Sequence, residues 1–242
     1  MRDYTYALAD EMIDRYALRP PFVDVGCGQG RFSLHLHQRH GWNGVAADAS
    51  SGAAAAARRT LHGTAVDVHD QPIDELGGSF RTVVFSTVIE HIADDEAALR
   101  RLRRLLPDEP AGGHLIMSLP TNPEREWRWD DDYYGHYRRY TRPAVEQMLA
   151  ATGFCLLEFW DYTFPVYWAM RRAYTRLLPA KPPPSEVKEA SSAASALTDA
   201  WSAGGAGYLV GRIPVWKAVN RVQSRFRHGR RGFEAITLAT TA

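Results

Sequence analysis

The chain has 242 residues, of which 45% are hydrophobic and 24% charged, with a formal net charge of +1. That is ordinary for a soluble globular protein with one full core, and the charge alone calls for no polyanionic partner. Two cysteines, Cys27 and Cys155, offer no disulfide framework, and no run nears the ~18 apolar residues that a membrane span needs, which together with an N-terminus lacking a signal pattern fits a cytoplasmic protein, at most peripheral to a membrane.

Residues 3–18 place Ala9, Met12, Ile13, Tyr16 and Ala17 at helical spacing, so an amphipathic helix is expected there, ended by Pro20-Pro21. Phe22, Val23 and Val25 then read as a short buried strand. It runs into a turn with glycine at alternate positions, Gly26, Gly28 and Gly30, followed by a helix from about Gln29 to His40. Glycines there let a ligand approach the main chain, and the helix start turns its unpaired N–H groups and positive dipole end to the same spot. A nucleotide-like ligand is the natural occupant.

Gly44 to Asp48 is a second strand ending in an acid, with Ser50 as the cap of an alanine-rich helix that Gly63 closes. Thr64 to Val68 repeats the design with Asp67, and Phe80 to Ser86 is a fourth strand with Glu90-His91 just beyond. Asp94 or Asp95 caps a helix whose Ala98, Leu99, Leu102, Leu105 and Leu106 share one face, and His114 to Leu119 is a fifth strand. Strands alternating with helices imply a mainly parallel sheet, with ligands at the carboxyl ends of the strands. Gly26 to Gly30, Asp48, Asp67, Ser86 and His91 are all expected on that edge.

From Thr121 to Tyr140 the alternation stops. Trp127, Trp129, Tyr133, Tyr134, Tyr137 and Tyr140 interleave with charged residues, which reads as a loop forming a substrate-facing wall. Thr141 caps a further helix closed by Gly153, and Phe154 to Phe159 is a sixth strand. Residues 165–231 read as a helical insertion or lid between a core of 1–164 and 232–242, with a mobile linker over about 179–207. Two amphipathic helices, 165–178 and 214–228, carry aromatic residues on one face and arginines on the other. From Trp201 to the end, seven basic side chains face the single acid Glu234, an asymmetry that suggests a surface or partner role. Residues 232–240 read as a last strand, antiparallel if it inserts beside strand six.

The ordered set Val23-Asp24-Val25-Gly26-Cys27-Gly28-Gln29-Gly30, Asp48, Asp67-Val68, Val83 to Ile92, Gly112-Gly113, Gly135 to Thr141 and Ala151 to Phe154 resembles the class I S-adenosylmethionine-dependent methyltransferases. The likeness is to the broad type-11 group that includes the ubiquinone-biosynthesis O-methyltransferases, and it covers roughly residues 20–160 and the terminal strand. It implies an α/β fold: a Rossmann-like seven-stranded, mostly parallel sheet with the last strand antiparallel and a helical insertion before it. The implied cofactor is S-adenosylmethionine. Asp48 would take both ribose hydroxyls, Gly26 and Gly28 would lie along the methionine part, and Asp24 would act indirectly on its ammonium. Asp67 and Val68 would flank the adenine, and Ser86 would offer main-chain contacts near the sulfonium. Cys27, Gly30 and Ala49 complete the implied cofactor set.

The reaction this implies is methyl transfer to an oxygen, nitrogen or carbon of a small molecule, quinone-like or a secondary metabolite. Alignment and exclusion of water supply most of the rate, and a base is needed only for a protonated nucleophile. His136 and His91 are the candidate bases, with a plain structural role the alternative for each. Two further readings stay open: a lipid or prenylated acceptor, with peripheral membrane contact through 165–178 and 214–228, and a cofactor-binding scaffold without catalysis. Nucleic-acid amino methylation is not expected, because no Asn/Asp-Pro-Pro-aromatic tetrad follows strand four, and the basic tail is what keeps a weak nucleic-acid reading open. No metal is expected, since Glu90 and His91 alone are two ligands and Thr87 stands where ubiquinone-type enzymes carry another acid. Asp130 to Asp132 read as a solvated turn, and Cys27 as a small apolar filler.

Overall fold

A computed structural model describes residues 1–109, 112–182 and 215–242. Helix α1 (Arg2–Tyr16) precedes an alternating series: β1 (Phe22–Val25), α2 (Arg31–His40), β2 (Gly44–Asp48), α3 (Ser51–Thr60), β3 (Val66–Asp70), β4 (Thr82–Ser86), α4 (Asp95–Arg104) and β5 (His114–Pro120). Then come α5 (Pro123–Glu126), α6 (Trp129–Tyr134), α7 (Arg142–Ala151), β6 (Phe154–Asp161), α8 (Val166–Leu177), α9 (Val215–Ser224) and β7 (Glu234–Thr241).

The strands form one sheet in the order β3-β2-β1-β4-β5-β7-β6. β7 slots between β5 and β6 and is antiparallel to both; every other pair in the sheet is parallel. Strand order reverses between β1 and β4, which opens a crevice at their carboxyl ends. β1 is buried along its whole length, as a central parallel strand covered on both faces must be.

Each face of the sheet has its own core. One gathers Met12, Ile13, Phe22, Leu36, Trp42 and Trp160 under α1 and α2. The other gathers Val83, Phe85, Leu99, Leu102, Val145 and Leu149 under α4 and α7. The α1 stripe is buried as patterned at Ala9, Met12 and Ile13. Ala17 is exposed instead, because it turns left-handed (φ 50) to close the helix. Ser50, Asp94 and Thr141 each accept a cap bond from the third residue beyond, at 3.4, 2.9 and 3.3 Å.

Three expectations need correction. Leu61 rather than Gly63 ends α3, and Thr64 belongs to the closing turn: its N–H and hydroxyl both donate to the Leu61 carbonyl, at 3.0 and 2.7 Å. β3 therefore starts at Val66 and runs on to Asp70. Second, 121–140 is not a plain loop, since α5 and α6 lie within it. Third, Asp130 and Asp131 are no solvated turn: they are 8% and 0% exposed. The linker expected over 179–207 lies outside the described residues from 183 on, as does Pro214. α8 and the described part of α9 pack on the α1 side, where Tyr167 stacks on Trp216 at 5.7 Å and Gln223 donates to the Tyr162 carbonyl at 2.8 Å. Among the described residues no helix is long and apolar enough to cross a membrane.

Candidate active site

The turn after β1 is shaped by its glycines. Gly26 and Gly28 both have positive φ, 71 and 54, a region costly for other residues. A Cβ on Gly26 would come within 2.5 Å of a Val88 methyl, whereas the space over Gly28 is open for 4 Å. Gly26 and Cys27 donate their N–H groups to the Ala47 carbonyl at 2.8 and 3.0 Å, which ties the turn to the end of β2.

Asp48 completes the cradle. One carboxylate oxygen accepts from the Gly28 N–H and the other from the Ser50 N–H, both at 2.9 Å. Each oxygen keeps a second lone pair for a ligand hydroxyl. Asp24, 1% exposed, lies below the turn and accepts from the Ser33 hydroxyl at 2.6 Å. Burial raises its carboxyl to about 6, with the Asp48 charge adding to the effect against the Ser33 bond. Cys27 is half-buried against the core, and burial pushes its thiol well above the usual range, so it is an inert filler. Ala49 is exposed at the rim. An open space over Gly28, rimmed by a carboxylate with free lone pairs and by a helix start at Gly30, fits the ribose and methionine parts of S-adenosylmethionine.

The register moves the next acid. Asp67 pairs with Val45, well below the carboxyl edge, while Asp70 pairs with Asp48 at that edge. Asp67 and half-buried Val68 thus do not reach the crevice rim as the pattern suggests, and the later start of β3 is the reason. Asp70 is the acid placed beside Asp48.

Beyond β4, the Ser86 and Ser118 hydroxyls are 2.7 Å apart. Thr87 turns left-handed (φ 54) and sends the chain into a 3₁₀ turn over Ile89–His91. Glu90 is 1% exposed, and burial pushes its carboxyl up to about 8. Burial, helped by neighbouring His136, pushes His91 down to about 4, so its ring is neutral. Glu90 Oε2 and His91 Nδ1 are buried without a hydrogen-bond partner among the described residues. The rings of His91 and His136 meet edge to face at 4.9 Å. The Tyr137 N–H donates to the Glu90 carbonyl at 2.7 Å and pins the 135–140 segment over this turn.

His136 has a fixed partner. Its Nδ1 lies 2.8 Å from Asp131 Oδ1. Arg139 and Arg171 reach the same carboxylate at 2.7 and 3.0 Å. Burial alone would raise Asp131, but the His136 bond and the Arg139 charge outweigh it and hold the carboxyl well below its usual range. An ionised carboxylate only accepts, so Nδ1 carries a proton, and in the neutral ring the lone pair is then on Nε2. Donor atoms of Glu90, His91 and His136 lie within 4.8 Å of one another. The two-ligand objection to a metal therefore falls, because the fold brings a third donor with the carboxylate-backed geometry typical of metal-ligating histidines.

The six aromatic residues divide. Trp129 donates its indole N–H to the Thr175 carbonyl at 3.0 Å and packs on Tyr174, so it anchors α6 to α8. Tyr140 is buried, with its hydroxyl 3.0 Å from Asp95. Both side chains brace the fold through these bonds. Tyr134 stacks on His136 and Tyr133 packs on Tyr134, while the Tyr137 ring lies beneath the Arg138 guanidinium. Trp127 is 39% exposed.

Two of the three arginines of α8 do not face outward as the amphipathic pattern suggests. Arg171 grips Asp130 with two bonds of 2.8 and 2.7 Å, and Arg172 donates to buried Glu126 at 2.6 Å while lying 4.3 Å over Trp168. The sequence reading missed Asp131, Arg139 and Arg171. The one available signal was His136 five residues after Asp131, directly behind a short helix.

A family profile described as "Methyltransferase domain" matches residues 2–158. The chain belongs to this methyltransferase family. A ubiquinone biosynthesis O-methyltransferase of Pseudomonas aeruginosa (strain UCBPP-PA14) is 32% identical over 110 residues, 42% of this chain and 45% of that protein. The match thus spans less than half of the relative's length. Among solved structures, the [4+2]-cyclase SpnF is 20% identical with a TM-score of 0.58, over 98% of this chain and 81% of its own. The 1,6-didemethyltoxoflavin-N1-methyltransferase of Burkholderia thailandensis is 15% identical with a TM-score of 0.54, over 98% and 78%. These likenesses establish the Rossmann-like class I methyltransferase fold.

Proposed function

We propose that the protein transfers the methyl group of S-adenosylmethionine to a hydroxyl or amine of a small molecule, with His136 as the base that takes its proton. The observation that carries this reading is the hydrogen bond of 2.8 Å between His136 Nδ1 and Asp131. A cyclase and methyltransferases share this fold, so the fold alone does not select the chemistry. A neutral imidazole whose Nδ1–H is fixed on a carboxylate is suited to accepting a proton at Nε2.

The bound cofactor supplies a methyl group already activated on a sulfonium. The chain's part is to place and shield the reactants. Asp48 orients the ribose, and the Gly26 to Gly30 turn receives the rest of the cofactor without a side chain in the way. Asp70 is assigned to the adenine side in place of Asp67, since it stands beside Asp48. The acceptor sits between the Ser86–His91 segment and the rings of Tyr133, Tyr134 and Tyr137. His136 Nε2 takes the proton, and the imidazolium formed is stabilised by ionised Asp131. α8 is the lid element, because Arg171 links it to the carboxylate that holds the base. The O-methyl transfer for which the Pseudomonas relative is named favours a hydroxyl acceptor.

Calorimetry with S-adenosylhomocysteine tests the cofactor half, with binding by the wild type and a large loss in Asp48→Ala expected. No binding by the wild type would sink the reading. Turnover with a panel of phenols and amines tests the other half.

A further inference from the structure

On the β5 and β6 side of the same sheet edge lie two adjoining cavities of about 230 and 170 Å³ that share Asn122 and Arg230 in their walls. The first reaches Thr121, Asp161 and the start of α7 at Arg142; the second reaches Arg125, Glu126, Trp168, Arg172 and Arg231. Neither holds a group used in the methyl-transfer reading.

Two features of this cleft point to a missing partner. First, Thr121 Oγ1, Asp161 Oδ1, Glu126 Oε2 and Arg172 Nε are buried without a hydrogen-bond partner, half of the eight such side-chain atoms among the described residues. Thr121, Glu126 and Asp161 are only 4%, 2% and 2% exposed. Buried polar atoms are normally paired, and a concentration of unpaired ones in one cleft marks where something else binds. Second, the charge is uncompensated. Glu126 is matched by Arg172 at 2.6 Å and approached by Arg171 and Arg128 at 3.7 and 3.9 Å. Arg125, Arg230 and Arg231 then remain in the walls without an ion pair among the described residues, and Arg231 lies over the Phe164 ring at 5.8 Å. Crowded guanidiniums with flat aromatic neighbours suit an acidic group on an apolar body.

We propose that this cleft binds a small organic molecule through an acidic group, a carboxylate or a phosphate, held by Arg230 and Arg231, with Thr121 and Asp161 meeting its polar remainder. Asp161 is pushed up to about 7 by burial, so near neutral pH a large share of it carries a proton that it can donate. The cleft is also joined to the candidate base: Arg172 holds Glu126, Arg171 reaches both Glu126 and Asp131, and Asp131 holds His136. Identifying the occupant with the methyl acceptor rests on the methyl-transfer reading; anion binding in the cleft does not.

The test is calorimetry on the full chain at constant ionic strength, with inorganic phosphate and benzoate titrated separately and S-adenosylhomocysteine as an independent ligand. At least one of the two anions is expected to bind at a single site. The exposed pair Arg230→Gln/Arg231→Gln should weaken it about tenfold or more, the worth of one or two charge-assisted bonds. Arg221→Gln/Arg225→Gln, the same charge change outside the cleft, should leave binding within about twofold. Failure of both anions to bind, no loss in the cleft pair, or an equal loss in the outer pair would each overturn the proposal. Loss of S-adenosylhomocysteine binding in the wild type would instead strike the methyltransferase reading.

Discussion

Asp131, fully buried, faces His136 Nδ1 at 2.8 Å while two arginines keep its carboxylate ionised. The pair fixes the Nδ1–H tautomer of the neutral ring. His136→Ala is expected to lower kcat by about 10²–10⁴, the usual worth of a positioned base, with S-adenosylhomocysteine affinity unchanged. Asp131→Asn should lower kcat as well and shift the pH profile, since the amide no longer stabilises the imidazolium. Steady-state kinetics against pH, with calorimetry alongside, separates these effects from misfolding.

The register of β3 gives the second prediction. Asp70 stands opposite Asp48, and Asp67 opposite Val45. Asp70→Ala should therefore weaken S-adenosylhomocysteine on the order of tenfold, and Asp67→Ala by less than about twofold. The reverse ranking in titration would return the adenine role to Asp67.

Arg171 joins α8 to the segment carrying the base. Removing it leaves Asp130 without its two-bonded partner and strips one cation from Asp131. Breaking a buried pair in this way costs about 3–5 kcal/mol. For a chain of this size that is a fall in Tm on the order of 10 °C. Thermal melts of Arg171→Ala against Arg142→Ala, whose pair with Glu146 is exposed, should differ by most of that amount.

Stability should also depend on pH through Asp161. Burial raises its carboxyl from 3.8 to about 7, against opposing N–H groups of Gly232, Thr163 and Arg231. The folded state thus holds more protons than the unfolded state between those two values. This group's contribution is greatest below about pH 4 and is lost as pH rises to about 7. Asp161→Asn, which mimics the protonated acid, should flatten the decline in Tm across that window. An unchanged slope would assign the dependence to other groups.

Chelation distinguishes the two chemical uses of His136. With the histidine as base, exhaustive dialysis against EDTA should leave turnover within about twofold. Loss of activity that Mn²⁺ or Zn²⁺ restores would make Glu90, His91 and His136 ligands of an ion instead.

Much of the candidate site's geometry was legible from local patterns. Gly26, Gly28 and Asp48 belong to a strand-turn-helix unit whose chemistry is set within a few residues, so reading along the chain finds them. Cap residues Ser50, Asp94 and Thr141 are local for the same reason. Asp130 to Asp132 misled, because three adjacent acids look solvated unless their cations are known. Those cations, Arg139 and Arg171, come from 8 and 41 residues away along the chain from Asp131 and Asp130.

The sequence by itself determined the alternation of strands and helices and the glycine cradle with its acid, and its resemblance to class I methyltransferases implied the cofactor class. The alternation and the cradle follow from backbone conformation and hydrophobic period, which are properties of neighbours in the chain. Only the tertiary structure decided the register that sets Asp70 rather than Asp67 opposite Asp48, the burial that gives His136 its carboxylate, and the inward turn of Arg171 and Arg172. Each depends on which side chains meet across elements, and there the balance of desolvation against pairing, not local propensity, selects the outcome.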